Sequence, residues 1–135
     1  MALDSALDPT TRRWALVLAG WTLLTWVTRV PLAWSDPDLE VGDKVTATIP
    51  VLVFVVLGVA VAIAVVRRAP VAATLAAGLS LWGIGYWAVR LALIVSRDHP
   101  VGFVVVHAVL ALVAAGLGAL VLRGLASSPT RVSNG

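Results

Sequence analysis

Four long apolar blocks, 14–33, 45–66, 71–95 and 101–122, take up most of this 135-residue chain. At 1.5 Å of rise per residue, each is long enough to cross about 30 Å of hydrocarbon as a helix. In lipid every backbone amide must find its partner within the protein, so the helix is the structure each block is driven to adopt. The Val-rich run 51–66 would favour a strand in water, but an open strand in a bilayer leaves its amides unpaired. The blocks also lack the alternation, repeated over segments of about ten residues, that marks an outer-membrane barrel. The expected fold is therefore an all-α membrane protein, a four-transmembrane-helix bundle. Residues 1–13 form a cytoplasmic N-terminal segment, 14–122 the transmembrane domain and 123–135 a disordered cytoplasmic tail.

Composition supports lipid as the solvent. Hydrophobic residues make up 60% of the chain and charged residues 13%, with a mean hydropathy of +0.98; soluble domains carry roughly 25% charge. The net charge of +3 comes from ten basic residues scattered around apolar blocks, with no basic stripe, so nucleic acid is not an expected partner. The absence of cysteine removes thiolate metal sites and thiol catalysis. Nine of the ten basic residues are Arg, and Ala and Val are abundant, a composition that suggests a GC-rich bacterial genome.

Direction follows from the cations. Arg12, Arg13, Arg67, Arg68, Arg123 and Arg131 fall on one side of a four-span chain, whereas Asp36, Asp38, Glu40, Asp43 and Asp98 fall on the other. The positive-inside rule then puts both termini in the cytoplasm of a bacterial inner membrane. Arg12-Arg13 followed by an apolar stretch imitates a signal peptide. The stretch is longer than the usual h-region of about 7–15 residues, so span one is expected to stay.

The two halves share a pattern. Trp21, Trp26 and Arg29 recur 61 positions later as Trp82, Trp87 and Arg90, Ser35 recurs as Ser96, and Val41-Gly42 matches Val101-Gly102 after a one-residue slip. The offset suggests two tandem helical hairpins in a parallel pseudo-twofold repeat. Trp21, Trp26, Trp82 and Trp87 are expected as interfacial aromatic anchors. Trp26 and Trp87, one turn before Arg29 and Arg90, are placed to stack on those guanidiniums.

The polar residues that could form a ligand site are Arg29, Arg90, His107 and Asp98. Arg90 lies about five residues inside its span, where a charge needs a partner, and Asp98 or the acids of the first loop are the available carboxylates. His107 is the one group at that depth able to titrate near neutral pH. Asp36, Asp38, Glu40 and Asp43 depart from calcium-loop spacing and read as a solvated acidic loop. No cofactor, metal set or nucleophile constellation is legible, and a non-enzymatic protein is expected. Small residues four apart, Gly58/Ala62, Ala73/Ala77, Ala111/Ala115 and Ala114/Gly118, mark close helix seams. Two functions fit. One is an accessory or scaffold module docking lipid, another membrane protein or a second copy of the chain. The other is a small oligomeric transporter or channel with an outward-facing anion or proton site.

Overall fold

The computed structural model describes residues 7–127. They form five helices: α1 (Pro9–Val27), α2 (Arg29–Ser35), α3 (Val41–Val66), α4 (Ala72–Val95) and α5 (Val101–Ser127). With α1 and α2 acting together, the chain has four segments long and apolar enough to span a bilayer, as a multi-pass membrane protein requires.

Two ends differ from the sequence reading. α1 begins at Pro9, before the expected boundary, because Asp8 caps it: the Asp8 carboxylate accepts from the Thr10 and Thr11 amides, both at 3.1 Å, and from the Thr11 hydroxyl. Proline at the first helical position loses no hydrogen bond there. α5 continues through Arg123 to Ser127, so the expected disordered tail is helical over that part, and its remainder, 128–135, lies outside the described residues.

Pro31 does not end its helix. α2 runs past it to Ser35, and the interruption falls at Thr28, where α1 stops. The proline ring conflicts with the carbonyl four residues earlier, that of Val27, so the break appears one turn upstream. The Thr28 hydroxyl donates to the carbonyls of Leu24 (3.0 Å) and Thr25 (3.1 Å), satisfying groups near the break. α2 is then tied to α3 by Trp34 Nε1, which donates to Thr48 Oγ1 at 3.0 Å, and by Lys44 Nζ, which donates to the Trp34 carbonyl at 3.3 Å.

α1 packs on α3 and α5, and α4 packs on the same two, so the spans form a square with α1 and α4 on one diagonal. Burial follows the 61-residue offset. Thr11, Ala15, Leu18, Ala19 and Trp26 are buried on α1, as are Ala72, Ala76, Leu79, Ser80 and Trp87 on α4. On α3 and α5 the offset is 60: Val51, Phe54, Gly58 and Val61 correspond to the buried Ala111, Ala114, Gly118 and Val121. Contacts follow it as well. A Cβ on Gly58 would meet Leu23 Cγ at 3.2 Å, and one on Gly118 would meet Ile84 Cγ1 at 3.3 Å. Small residues at these seams let the helices approach, and the approach is used inside the chain.

Candidate functional site

The centre of the bundle is aromatic. Trp26 stacks on Phe54 with ring centroids 4.3 Å apart and planes 8° apart, while Tyr86 meets both rings edge-on at 5.2 Å. Trp87 completes the cluster at 5.8 Å from Trp26, across the α1–α4 diagonal. Such pairs contribute about 0.5–1.5 kcal/mol each beyond the area they bury.

Trp26 and Trp87 are 6% and 3% exposed, so they are core residues and not the interfacial anchors expected from sequence. Their rings find more contact between helices than at the headgroup layer. Trp82, 38% exposed, keeps an outward surface while its ring lies 5.8 Å from Phe54. Trp21 is half-buried, and its Nε1 is sealed from the surface without a hydrogen-bond partner among the described residues. Trp21 borders an internal cavity of about 10 Å³, which Thr22, Ser80, Gly83 and Ala114 also line. The buried hydroxyls there are satisfied locally: Thr22 donates to the Leu18 carbonyl at 2.7 Å and Ser80 to that of Ala76 at 2.8 Å.

Above this cluster, at the acidic-loop end, lies Arg29. Its guanidinium carbon sits 5.9 Å from the Trp26 ring centre, a cation–π distance, with Arg90 and the Tyr86 hydroxyl within electrostatic range. The matching stack of Arg90 on Trp87 does not form. Trp87 is committed to Trp26 and Tyr86, and Arg90 is exposed. Among the described residues no ion pair joins Arg90 to Asp98 or to the first-loop acids. More than a turn of α4 and the loop after Val95 separate Arg90 from Asp98. Asp36 instead accepts from the Asp38 amide at 2.9 Å, closing a local turn.

His107 is buried on α5 and bonded locally. Its Nδ1 lies 2.8 Å from the Phe103 carbonyl, and its ring lies 4.0 Å from that of Phe103. His99, in the loop before α5, stacks on Phe103 at 4.8 Å, so His99, Phe103 and His107 form one column. Four-residue spacing on α5 pairs Phe103 with His107, and Phe103 stands between the two imidazoles. Arg29 and Arg90 therefore lie within electrostatic range of each other, and among the described residues no contact joins His107 or Asp98 to either.

The opposite end carries a feature that the sequence reading used only for orientation. A cleft of about 610 Å³ opens there, lined by Leu7, Pro9, Arg12, Arg13, Leu16, Val65, Arg68, Ala69 and Ala72. One of its walls is the turn after α3, where Arg68 adopts φ 53°, the only non-glycine residue with positive φ among those described. The turn is a Schellman motif: the Ala69 amide donates to Ala64 O at 2.9 Å and the Arg68 amide to Val65 O at 3.2 Å. Glycine is the usual residue at that position because an L side chain is strained there. The spacing gave no sign of this, since Arg67-Arg68-Ala69-Pro70 reads simply as a basic turn.

No protein-family model, curated protein or solved structure matches the chain.

Proposed function

We propose that this chain is a non-enzymatic accessory module of a bacterial inner membrane, with both termini cytoplasmic, that docks lipid or another membrane protein. The observation that carries the reading is the packed axis. Trp26, Phe54, Tyr86 and Trp87 fill the space between the four spans, and the cavity beside them holds about 10 Å³. A single copy with such an axis offers an ion no conduit, and its working surfaces are on its outside and at its ends. Gly78, Gly85 and Gly116 support docking, since a Cβ at any of them would meet nothing within 4 Å and a partner helix could approach closely. The matched burial and the paired Gly58–Leu23 and Gly118–Ile84 contacts support an origin by duplication of one helical hairpin.

A second reading, a small oligomeric transporter with an outward-facing anion site, draws on one observation: Arg29 and Arg90 lie within electrostatic range of each other. Flux through proteoliposomes separates the two. The docking reading expects ion and proton flux at the level of protein-free vesicles, with Arg90→Ala and His107→Ala changing only assembly on native gels. Flux above that level, lost in Arg90→Ala, would overturn it.

A further inference from the structure

The cleft at the arginine-rich end combines three things. Arg12, Arg13 and Arg68 contribute guanidiniums, no carboxylate lines it among the described residues, and Leu7, Leu16, Val65 and Ala72 give it an apolar wall. Its volume of about 610 Å³ is that of a small-molecule site. Arg12 is held in position by its own bond, Nη2 donating to the Val66 carbonyl at 3.5 Å, which places the cation over the C-terminal end of α3. Arg68 reaches the cleft from a left-handed backbone that glycine would occupy without strain. Strained backbone held in place by its surroundings is characteristic of functional positions, where a particular side chain is needed despite its cost.

Polarity is graded along the cleft. The guanidiniums stand at the helix ends, and Leu16 lies one turn deeper along α1. An occupant that satisfies both walls has an anionic head and an apolar chain, and one that reaches the mouth of a membrane cleft by lateral diffusion is a lipid.

We propose that this cleft binds an anionic phospholipid, the phosphate held by Arg12, Arg13 and Arg68 and an acyl chain laid against Leu16 and Val65. Guanidinium is the cation whose planar fork matches phosphate oxygens. This deepens the docking reading by naming a ligand class, and its test is independent of flux.

The full chain in mild detergent is titrated with dioleoylphosphatidylglycerol, dioleoylphosphatidylcholine or inorganic phosphate, with bound lipid counted by native mass spectrometry and the unfolding midpoint followed in parallel. Phosphatidylglycerol should be retained and should raise the midpoint, phosphatidylcholine much less. Each guanidinium removed, as Arg12→Gln, Arg13→Gln or Arg68→Gly, should weaken phosphatidylglycerol by roughly fivefold. Arg123→Gln, outside the cleft, should change it less than about twofold. Arg68→Gly is the decisive variant because it relieves the turn: the lipid-free midpoint should rise while lipid affinity falls, which simple damage to the fold cannot produce. Equal retention of both lipids, equal binding by wild type and a variant combining Arg12→Gln, Arg13→Gln and Arg68→Gly, or stabilisation by inorganic phosphate alone would overturn the assignment. The last of these would make the cleft a free-anion site.

Discussion

Gly124→Ala tests how α5 closes against α1. A Cβ at position 124 would lie 2.1 Å from Thr11 Oγ1 and 3.0 Å from both Thr11 Cβ and Cγ2. Those distances cannot be kept, and Thr11 is not free to turn away, since it is 2% exposed and its hydroxyl donates to the Asp8 carboxylate that caps α1. Overpacking at a site that cannot yield costs about 1–3 kcal/mol. Displacing Thr11 also gives up part of the cap, about 1 kcal/mol. Alanine offsets roughly 1 kcal/mol of this through its better helix propensity. The expected net loss is about 1–3 kcal/mol. Gly116→Ala on the same helix isolates the propensity gain, because its Cβ would meet nothing within 4 Å. Unfolding by SDS titration followed by circular dichroism should place Gly124→Ala below wild type and Gly116→Ala at or above it. Thr11→Ala in the Gly124→Ala background removes Oγ1 and Cγ2 and should recover part of the loss. Equal midpoints for the two alanine variants, or a strictly additive double variant, would refute the reasoning.

Three further perturbations address other parts of the bundle. The Thr11 hydroxyl, then its amide, hold the Asp8 carboxyl below the usual carboxylate range. A depressed folded pKa contributes stability that is complete above the unfolded value, roughly 3.9, and is lost as pH falls through the folded one. Fraying of α1 should therefore appear only below about pH 4 in the wild type, and Asp8→Asn should flatten that dependence in a circular-dichroism pH titration. Trp26→Ala removes the ring that Phe54, Tyr86 and Trp87 all contact and should cost about 3–5 kcal/mol in the same unfolding assay, whereas Trp34→Phe, losing one exposed bond to Thr48, should cost about 1 kcal/mol or less. Phe54→Ala should cost about 3–5 kcal/mol and Ala114→Phe about 1–3. Combining them should recover about 2 kcal/mol of the sum, because the ring enters from the equivalent position on the other side of the bundle; additivity would count against the pseudo-twofold relation.

The spans were legible because lipid leaves the backbone one solution, so length and hydropathy alone locate helices there. Their ends were less so. Asp8-Pro9-Thr10-Thr11 carries an N-cap signal that a polar composition masks, and Arg123 to Ser127 continues a helix past the last strongly apolar residue. Pro31 leaves its mark away from its own position, since its steric conflict lies one turn upstream, at the Thr28 break. The tryptophan pattern misled about role, because an indole suits both a headgroup layer and a tight interior; only the bundle geometry turns Trp26 and Trp87 inward. The Arg68 turn was not legible at all, since nothing local to a pair of arginines announces a left-handed residue.

The halves differ where the chain is most informative. Phe54 corresponds to Ala114 at the 60-residue offset, so one side of the axis receives an aromatic ring and the other a methyl group, and the small internal cavity borders both. Two identical hairpins could not fill that axis, because two phenyl rings would collide and two alanines would leave it open. The asymmetry between Phe54 and Ala114 closes the axis. With the middle closed, the uncommitted chemistry lies at the ends, and both ends carry arginine. Arg29 is half-buried with Arg90 for a neighbour, and Arg68 strains a turn that glycine would relax by about 1 kcal/mol. Arg29 lies at a cation–π distance over Trp26, and Arg68 lines the cleft proposed to take an anionic lipid.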